Sequence, residues 1–250
     1  MRFSRLCALA VLAIVVPNLA IAERVFDVPP TSSADKALAE VVLGSLDAPV
    51  HIIMYFSPTC NHCADYEKNF FPEIEKNFIE MGHVRFTFRL LPFHRLDYTV
   101  ARLIWRRGNQ NVIKLMQFFL THQDEWLDPV LEESTKKRRQ LLKEALEKTA
   151  EQLKMDVDKL AEDLDVQTNI EGAFVKLFAL RNGFSFQEIE QADLEDSTLE
   201  DALTANHLQA TLDFGKSLDY VPAFLVNGKV VQTWPKPKSI EKLLEKLPTN

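Results

Sequence analysis

Val50-His51-Ile52-Ile53-Met54-Tyr55-Phe56-Ser57-Pro58-Thr59-Cys60-Asn61-His62-Cys63 reads as a strand running into a helix, with two cysteines at the junction. Val50 to Phe56 is β-branched and aromatic enough for a buried strand, and Ser57-Pro58-Thr59 punctuates its end. Tyr66, Phe70, Phe71, Ile74 and Phe78 then recur at helical spacing among charged residues, which predicts one helix from about Cys60 to Glu80. The cysteines fall in its first turn. Unpaired N–H groups and a partial positive charge there favour a thiolate over a thiol. Cysteines so placed titrate at roughly 3.5 to 7.5 instead of about 8.5. Cys60, the more N-terminal, is the expected nucleophile. Cys63, at i+3 on the same face, is expected to close a disulfide with it and to resolve mixed disulfides. A partly protonated His62 between them would favour the Cys60 thiolate further.

Outward from this junction, Val84 to Leu91 alternates like a second strand, so the segment is a β-α-β unit whose strands should run parallel. Ser33 to Leu43 upstream reads as a helix stopped by Gly44. From Asp97 to Asp213 helix formers dominate. Helices are expected at Tyr98–Arg107, Val112–His122, Lys136–Lys154, Val157–Leu164, Asn169–Arg181 and Ala205–Leu218. The acidic stretch from Ser185 to Glu200 fits either a loop or a surface helix. Beyond it, Ala223 to Val226, Asn227-Gly228 and Lys229 to Thr233 carry a strong short hairpin signal. Ser239 is the expected N-cap of a closing helix with Ile240, Leu243, Leu244 and Leu247 on its apolar face.

The first residues carry Arg2 and Arg5, an apolar run from Leu6 to Val16, and Ala20-Ile21-Ala22 before Glu23. That is the pattern of a secretory signal peptide, with a run too short to span a bilayer. Cleavage after Ala22 would remove Cys7 and leave only the two motif cysteines, so no structural disulfide is expected in an oxidising compartment. A structural Cys60–Cys63 bridge would close too short a loop to stabilise much. The formal net charge is -7, and removal of residues 1–22 makes it two units more negative. Nucleic-acid binding is disfavoured. Lys136-Lys137-Arg138-Arg139 adjoins Glu132 and Glu133 and reads as a solvated helix face.

The order β-α-β, helices, hairpin, helix, with CxxC at the first strand-to-helix junction and Val221-Pro222 just before the hairpin, resembles the thioredoxin fold. It is similar to the DsbA-like bacterial thiol oxidoreductases in particular, through Gly44-Ser45-Leu46-Asp47-Ala48-Pro49-Val50, Cys60 to Cys63, and Val221 to Gly228. The fold class so implied is α/β, a thioredoxin fold with a large inserted α-helical domain. Its expected segments are 1–22 signal peptide, 23–45 N-terminal helix or extension, 46–96 β-α-β, 97–213 insert, and 214–250 hairpin and closing helix. The resemblance implies a cis Pro222 beside the cysteines. Val221 would then offer backbone polar groups to an extended substrate. It implies no cofactor beyond the redox-active disulfide and no metal. It also implies reduced or unfolded exported proteins as substrates, a periplasmic location, and recharging by a membrane quinone-linked oxidase. A monomer is expected, because only Glu23 to about Ser45 is available for the dimerisation segment of related isomerases. Two positions depart from the family: Asn61 stands where Pro commonly follows the first cysteine, and Met54 where many relatives carry a buried carboxylate. The dipeptide Asn61-His62 tunes thiol acidity and potential.

Three other readings exist at this level. A reductase or isomerase would use the same residues. Two thiolates could hold Cu(I) or Zn(II), although a closed zinc site needs two more ligands, and the six histidines include no His-x3-5-His pair. A noncatalytic scaffold would keep its activity without Cys60. Haem attachment is excluded because Ala64, not His, follows Cys63.

Overall fold

The computed structural model describes residues 40–107 and 109–247. The expected signal peptide and residues 33–39 of the expected N-terminal helix lie outside the described residues. Five strands, β1 (Glu40–Leu43), β2 (Val50–Phe56), β3 (Val84–Leu90), β4 (Ala223–Val226) and β5 (Lys229–Val231), form one sheet in the order β1-β3-β2-β4-β5. β2 pairs parallel with β3 and antiparallel with β4, so Met54 lies opposite Phe88 on one side and Phe224 on the other. Paired on both edges, β2 is buried almost throughout, which is why its sequence is nearly continuously apolar.

Glu40 to Leu43 corrects the expected helix. It is a strand, antiparallel to β3 with Glu40 opposite Arg89 and Leu43 opposite Phe86. The β-branched pair Val41-Val42 suits an edge strand, and Arg89 Nε donates to Glu40 Oε2 at 2.6 Å. Gly44 ends it at φ +85°, where a Cβ would lie 2.3 Å from the Val84 carbonyl oxygen.

The expected helix from Cys60 to Glu80 is broken into α1 (Asn61–Asn69), α2 (Phe71–Ile74) and a π-helical turn (Glu75–Ile79). Pro72 lacks an N–H and crowds the preceding turn, so it sits at the start of α2 and forces the break. Cys60 is thereby the N-cap of α1 and not a residue of its first turn.

Between β3 and β4 run α3 (Arg95–Trp105), α4 (Asn109–Thr121), α5 (Gln123–Trp126), α6 (Asp128–Leu131), α7 (Thr135–Leu153), α8 (Val157–Asp163), α9 (Ile170–Arg181), α10 (Phe186–Asp193) and α11 (Ser197–Phe214). The long expected helices are present with shifted ends. α11 begins eight residues before the expected Ala205 because Asp196 caps it, accepting from Leu199 N–H at 3.2 Å, and Gly215 stops it at φ +68°. The acidic stretch holds α10, started by a capping box in which Ser185 N–H donates to Glu188 Oε2 at 2.7 Å and Glu188 N–H to Ser185 Oγ at 3.2 Å. The closing helix α12 (Pro237–Leu244) is capped by Lys236, and the expected N-cap Ser239 sits three residues further on, taking the Lys236 N–H at 2.8 Å.

The inserted helices share one buried apolar cluster with one face of the sheet, running from Leu43 and Phe88 through Phe119 and Trp126 to Phe178 and Ile240. No helix among the described residues is long and apolar enough to cross a membrane.

On the other face, Tyr55 OH donates to Asp213 Oδ2 at 2.6 Å. Arg89 Nη1 reaches both Tyr55 OH (2.9 Å) and Asp213 (3.2 Å). Burial, followed by the hydrogen bond to Asp213, pushes the Tyr55 phenol up from its ordinary value. Arg89 is therefore the cation that joins β1, β2, β3 and α11. Arg89→Met leaves Glu40 and Asp213 without their shared partner and is expected to lower stability by about 2 kcal/mol. Urea unfolding of the two proteins measures this, and coincident midpoints would show that the cluster is energetically idle.

Candidate active site

The turn from β2 into α1 is held from several sides. Cys60 N–H donates to Ser57 O at 3.1 Å, and Gln123 of α5 donates through Nε2 to Pro58 O (2.6 Å) and Cys60 O (3.1 Å). Asp97 Oδ1 accepts from Ser57 Oγ (2.8 Å) and Thr59 N–H (2.9 Å). Neither Gln123 nor Asp97 was foreseen. A glutamine between two helices and an acidic residue near a helix start carry no sequence signal for an active-site turn.

Cys60 takes extended backbone angles (φ -86°, ψ 114°), which aim its sulfur across the end of α1. Its Sγ accepts the Cys63 N–H at 3.2 Å, and its thiol donates to Val221 O at 3.3 Å. The Val221–Pro222 peptide bond is cis. The structure therefore brings together Cys60, Cys63, Val221 and the buried Pro222, all expected from the sequence. Cys60 is half-buried, whereas Cys63 is 0% exposed. This difference splits their chemistry. A hydrogen bond from the Cys63 side chain, helped by the backbone N–H groups of Cys63 and His62, holds the Cys60 thiol below its ordinary value against its partial burial and the charge of Asp97. Burial pushes the Cys63 thiol well up, and the neighbouring Cys60 adds to this.

His62 and Asn61 are placed otherwise than the sequence suggested. The His62 side chain is 64% exposed, its ring lies edge-on to Trp234 at 6.1 Å, and its Nδ1 is 4.0 Å from Asp65. What His62 supplies to Cys60 is its backbone N–H. Asn61 turns its Oδ1 onto that same N–H at 2.8 Å. Beside Cys60 opens a shallow cleft of about 130 Å³ bordered by Thr59, Phe93, Tyr220 and Val221. Phe93 and Tyr220 are 39% and 44% exposed, so the nucleophile faces a partly apolar rim.

Met54 is fully buried and offers no carboxylate. The buried acid of α1 is Glu67, 3% exposed, whose Oε2 has no hydrogen-bond partner among the described residues. Its spacing from Cys63, i to i+4, puts both on one helix face. That spacing was visible in the sequence, but burial of a glutamate there was not. Among the described residues, no three His, Cys, Asp or Glu side chains converge as metal ligands would.

The family profile described as Thioredoxin matches residues 36–246, nearly the whole described chain. The chain belongs to the thioredoxin family. Among curated relatives, a Rickettsia prowazekii protein named "Putative protein-disulfide oxidoreductase" is 34% identical over 88 residues, covering 35% of this chain and 32% of that one. Disulfide bond formation protein D of Bacillus subtilis is 30% identical over 115 residues, covering 41% of this chain and 52% of the relative. This thioredoxin-family chain thus spans about a third of the length of the rickettsial relative and about half of the Bacillus one. The fold is shared with a protein-disulfide isomerase from Novosphingobium aromaticivorans (TM-score 0.59, 15% identity, 83% of this chain and 96% of that one). It is also shared with a single-substitution variant of alpha-DsbA1 from Wolbachia pipientis (TM-score 0.55, 18% identity, 83% and 90%). These likenesses agree with a DsbA-like thioredoxin fold, in which this chain inserts its helices between the β-α-β unit and the hairpin.

Proposed function

We propose that this chain is an exported thiol-disulfide oxidoreductase that introduces disulfides into other proteins through Cys60 and Cys63. The observation that carries the reading is the asymmetry of the pair. One sulfur is partly exposed and favoured as an anion by the first turn of α1, and the other is buried behind it. The names of the rickettsial and Bacillus relatives support the same chemistry.

In the proposed cycle a substrate thiolate attacks Cys60 Sγ of the Cys60–Cys63 disulfide. A substrate–Cys60 bond forms, the Cys60–Cys63 bond breaks, and Cys63 leaves and takes up a proton. A second substrate thiolate then attacks the substrate sulfur of the mixed disulfide and expels Cys60 as its thiolate. Two substrate thiols lose two electrons and two protons, and the protein pair gains the electrons. A leaving group of lowered pKa makes the pair a stronger oxidant. The Val221 backbone and the rim of Phe93 and Tyr220 suit an extended, partly unfolded polypeptide as substrate. The reading includes export to the periplasm by residues 1–22, action as a monomer, and re-oxidation by a membrane quinone-linked oxidase.

The test is the equilibrium potential of the pair in glutathione buffers, on protein cut after Ala22. A value toward the DsbA end, roughly -120 mV, is expected. One near the thioredoxin end, roughly -270 mV, would overturn disulfide donation in favour of reduction.

A further inference from the structure

Asp97 is fully buried, and among the described residues its carboxylate accepts four hydrogen bonds. Oδ2 takes the N–H groups of Phe93 (2.8 Å) and His94 (3.0 Å), closing the first turn of α3. Oδ1 takes the Thr59 N–H and the Ser57 hydroxyl, both in the turn that delivers Cys60 to α1. This is the surrounding an acceptor-only carboxylate requires. No basic side chain pairs with it among the described residues.

A negative group hydrogen-bonded to the residue next to the nucleophile acts in two opposite ways. It fixes the turn, and so the approach of Cys60 Sγ to the Cys63 N–H. Its field also works against negative charge on that sulfur, and in a buried setting the field is weakly screened. Among the described residues, the other titratable groups near Cys60 are Cys63 and His62 on its own helix, His94 at the start of α3, and Asp219 and Tyr220, which border the cleft. Only Asp97 is bonded into the turn itself.

We propose that Asp97 is a positioning residue that locks the Cys60 turn to α3 and, by its charge, holds the oxidising strength of the pair below what the helix terminus alone would give. The inference rests on the oxidoreductase reading and names the residue that sets its strength.

Two variants separate charge from structure. Asp97→Asn removes the charge, while its remaining carbonyl oxygen can still take the Ser57 and Thr59 donors. The Cys60 thiolate, followed by its ultraviolet absorbance, should then form at lower pH, and the equilibrium with glutathione should move about tenfold toward reduced protein. Ser57→Ala keeps the charge and deprives it of one donor, so the thiolate should form at higher pH. Mere loosening of the turn would move both variants the same way, or lower only their melting temperatures. Shifts of the same sign, or none in either variant, would overturn the proposal. If Asp97→Asn fails to fold, the upward shift in Ser57→Ala supports the proposal and its absence overturns it. A wild-type protein that does not cycle with glutathione at all would remove the oxidoreductase reading, and the proposal with it. Normal cycling with an unmoved Cys60 would remove only the proposal.

Discussion

Cys60→Ser is expected to reduce oxidation of a dithiol peptide by on the order of a thousandfold or more, to the uncatalysed rate. A serine hydroxyl can neither form the disulfide that carries the electrons nor leave as a stabilised anion, so nothing at this position replaces the sulfur. Cys63→Ser should fail differently. Cys60 remains half-buried and acidified by the His62 and backbone Cys63 N–H groups, so it still exchanges with a substrate disulfide. Without the buried sulfur behind it, the mixed disulfide loses the exit through Cys63 and can be released only by a substrate thiol, so it should accumulate as a covalent adduct visible on a non-reducing gel. Turnover by Cys60→Ser above a tenth of wild type would place the chemistry elsewhere, and absence of adduct in Cys63→Ser would deny it the resolving role.

Glu67→Gln should have its largest effect on stability, growing as the pH rises above about 4.5 and greatest near pH 8. Burial, followed by the charge of Glu75, raises the Glu67 carboxyl from 4.5 to about 8, opposed only in part by the hydrogen bond with Gln117. Between those values the folded chain keeps a proton that the unfolded chain has released. The associated stability is therefore fully present below about pH 4.5 and is lost as the pH rises through about 8. The slope is on the order of 1 kcal/mol per pH unit in that window. A glutamine cannot titrate, so the variant should match wild type near pH 4.5 and exceed it by roughly a few kcal/mol at pH 8. Urea unfolding across this range decides the matter, and parallel wild-type and variant curves would rule out Glu67 as the source.

The parts of the fold that could be read from the sequence are those fixed by neighbours in the chain. β2 is a nearly continuous apolar run, the cysteine spacing is local, and the hairpin follows from Asn227-Gly228, both of which adopt positive φ (48° and 74°). β1 could not be read. Glu40 to Leu43 is compatible with a helix, and what makes it a strand is the free edge of β3 and the side chain of Arg89. Pro72 did announce the break after α1, but the hydrophobic period on either side of it masked the signal. At the site, the sequence supplied both sulfurs, Val221 and Pro222, because the motif and the hairpin carry them. It misplaced the His62 ring, whose packing depends on Trp234 far along the chain. It missed Asp97 and Gln123 because their contacts with the cysteine turn span tens of residues. Glu67 stood in plain view as a polar helix residue, and only the packing of α4 against α1 buries it.

The bracing of the cysteine turn also imposes an order in time. Asp97, Gln123 and Val221 follow the turn by 38, 63 and 161 positions respectively. During synthesis the two sulfurs leave the ribosome long before the carbonyl that will face Cys60. A nascent chain therefore carries its reactive pair without the Val221 carbonyl opposite Cys60 until the hairpin has been made and docked. The site is complete only with the last strands, and the growing chain passes through an interval in which its sulfurs are open to the same thiol exchange proposed for the finished protein.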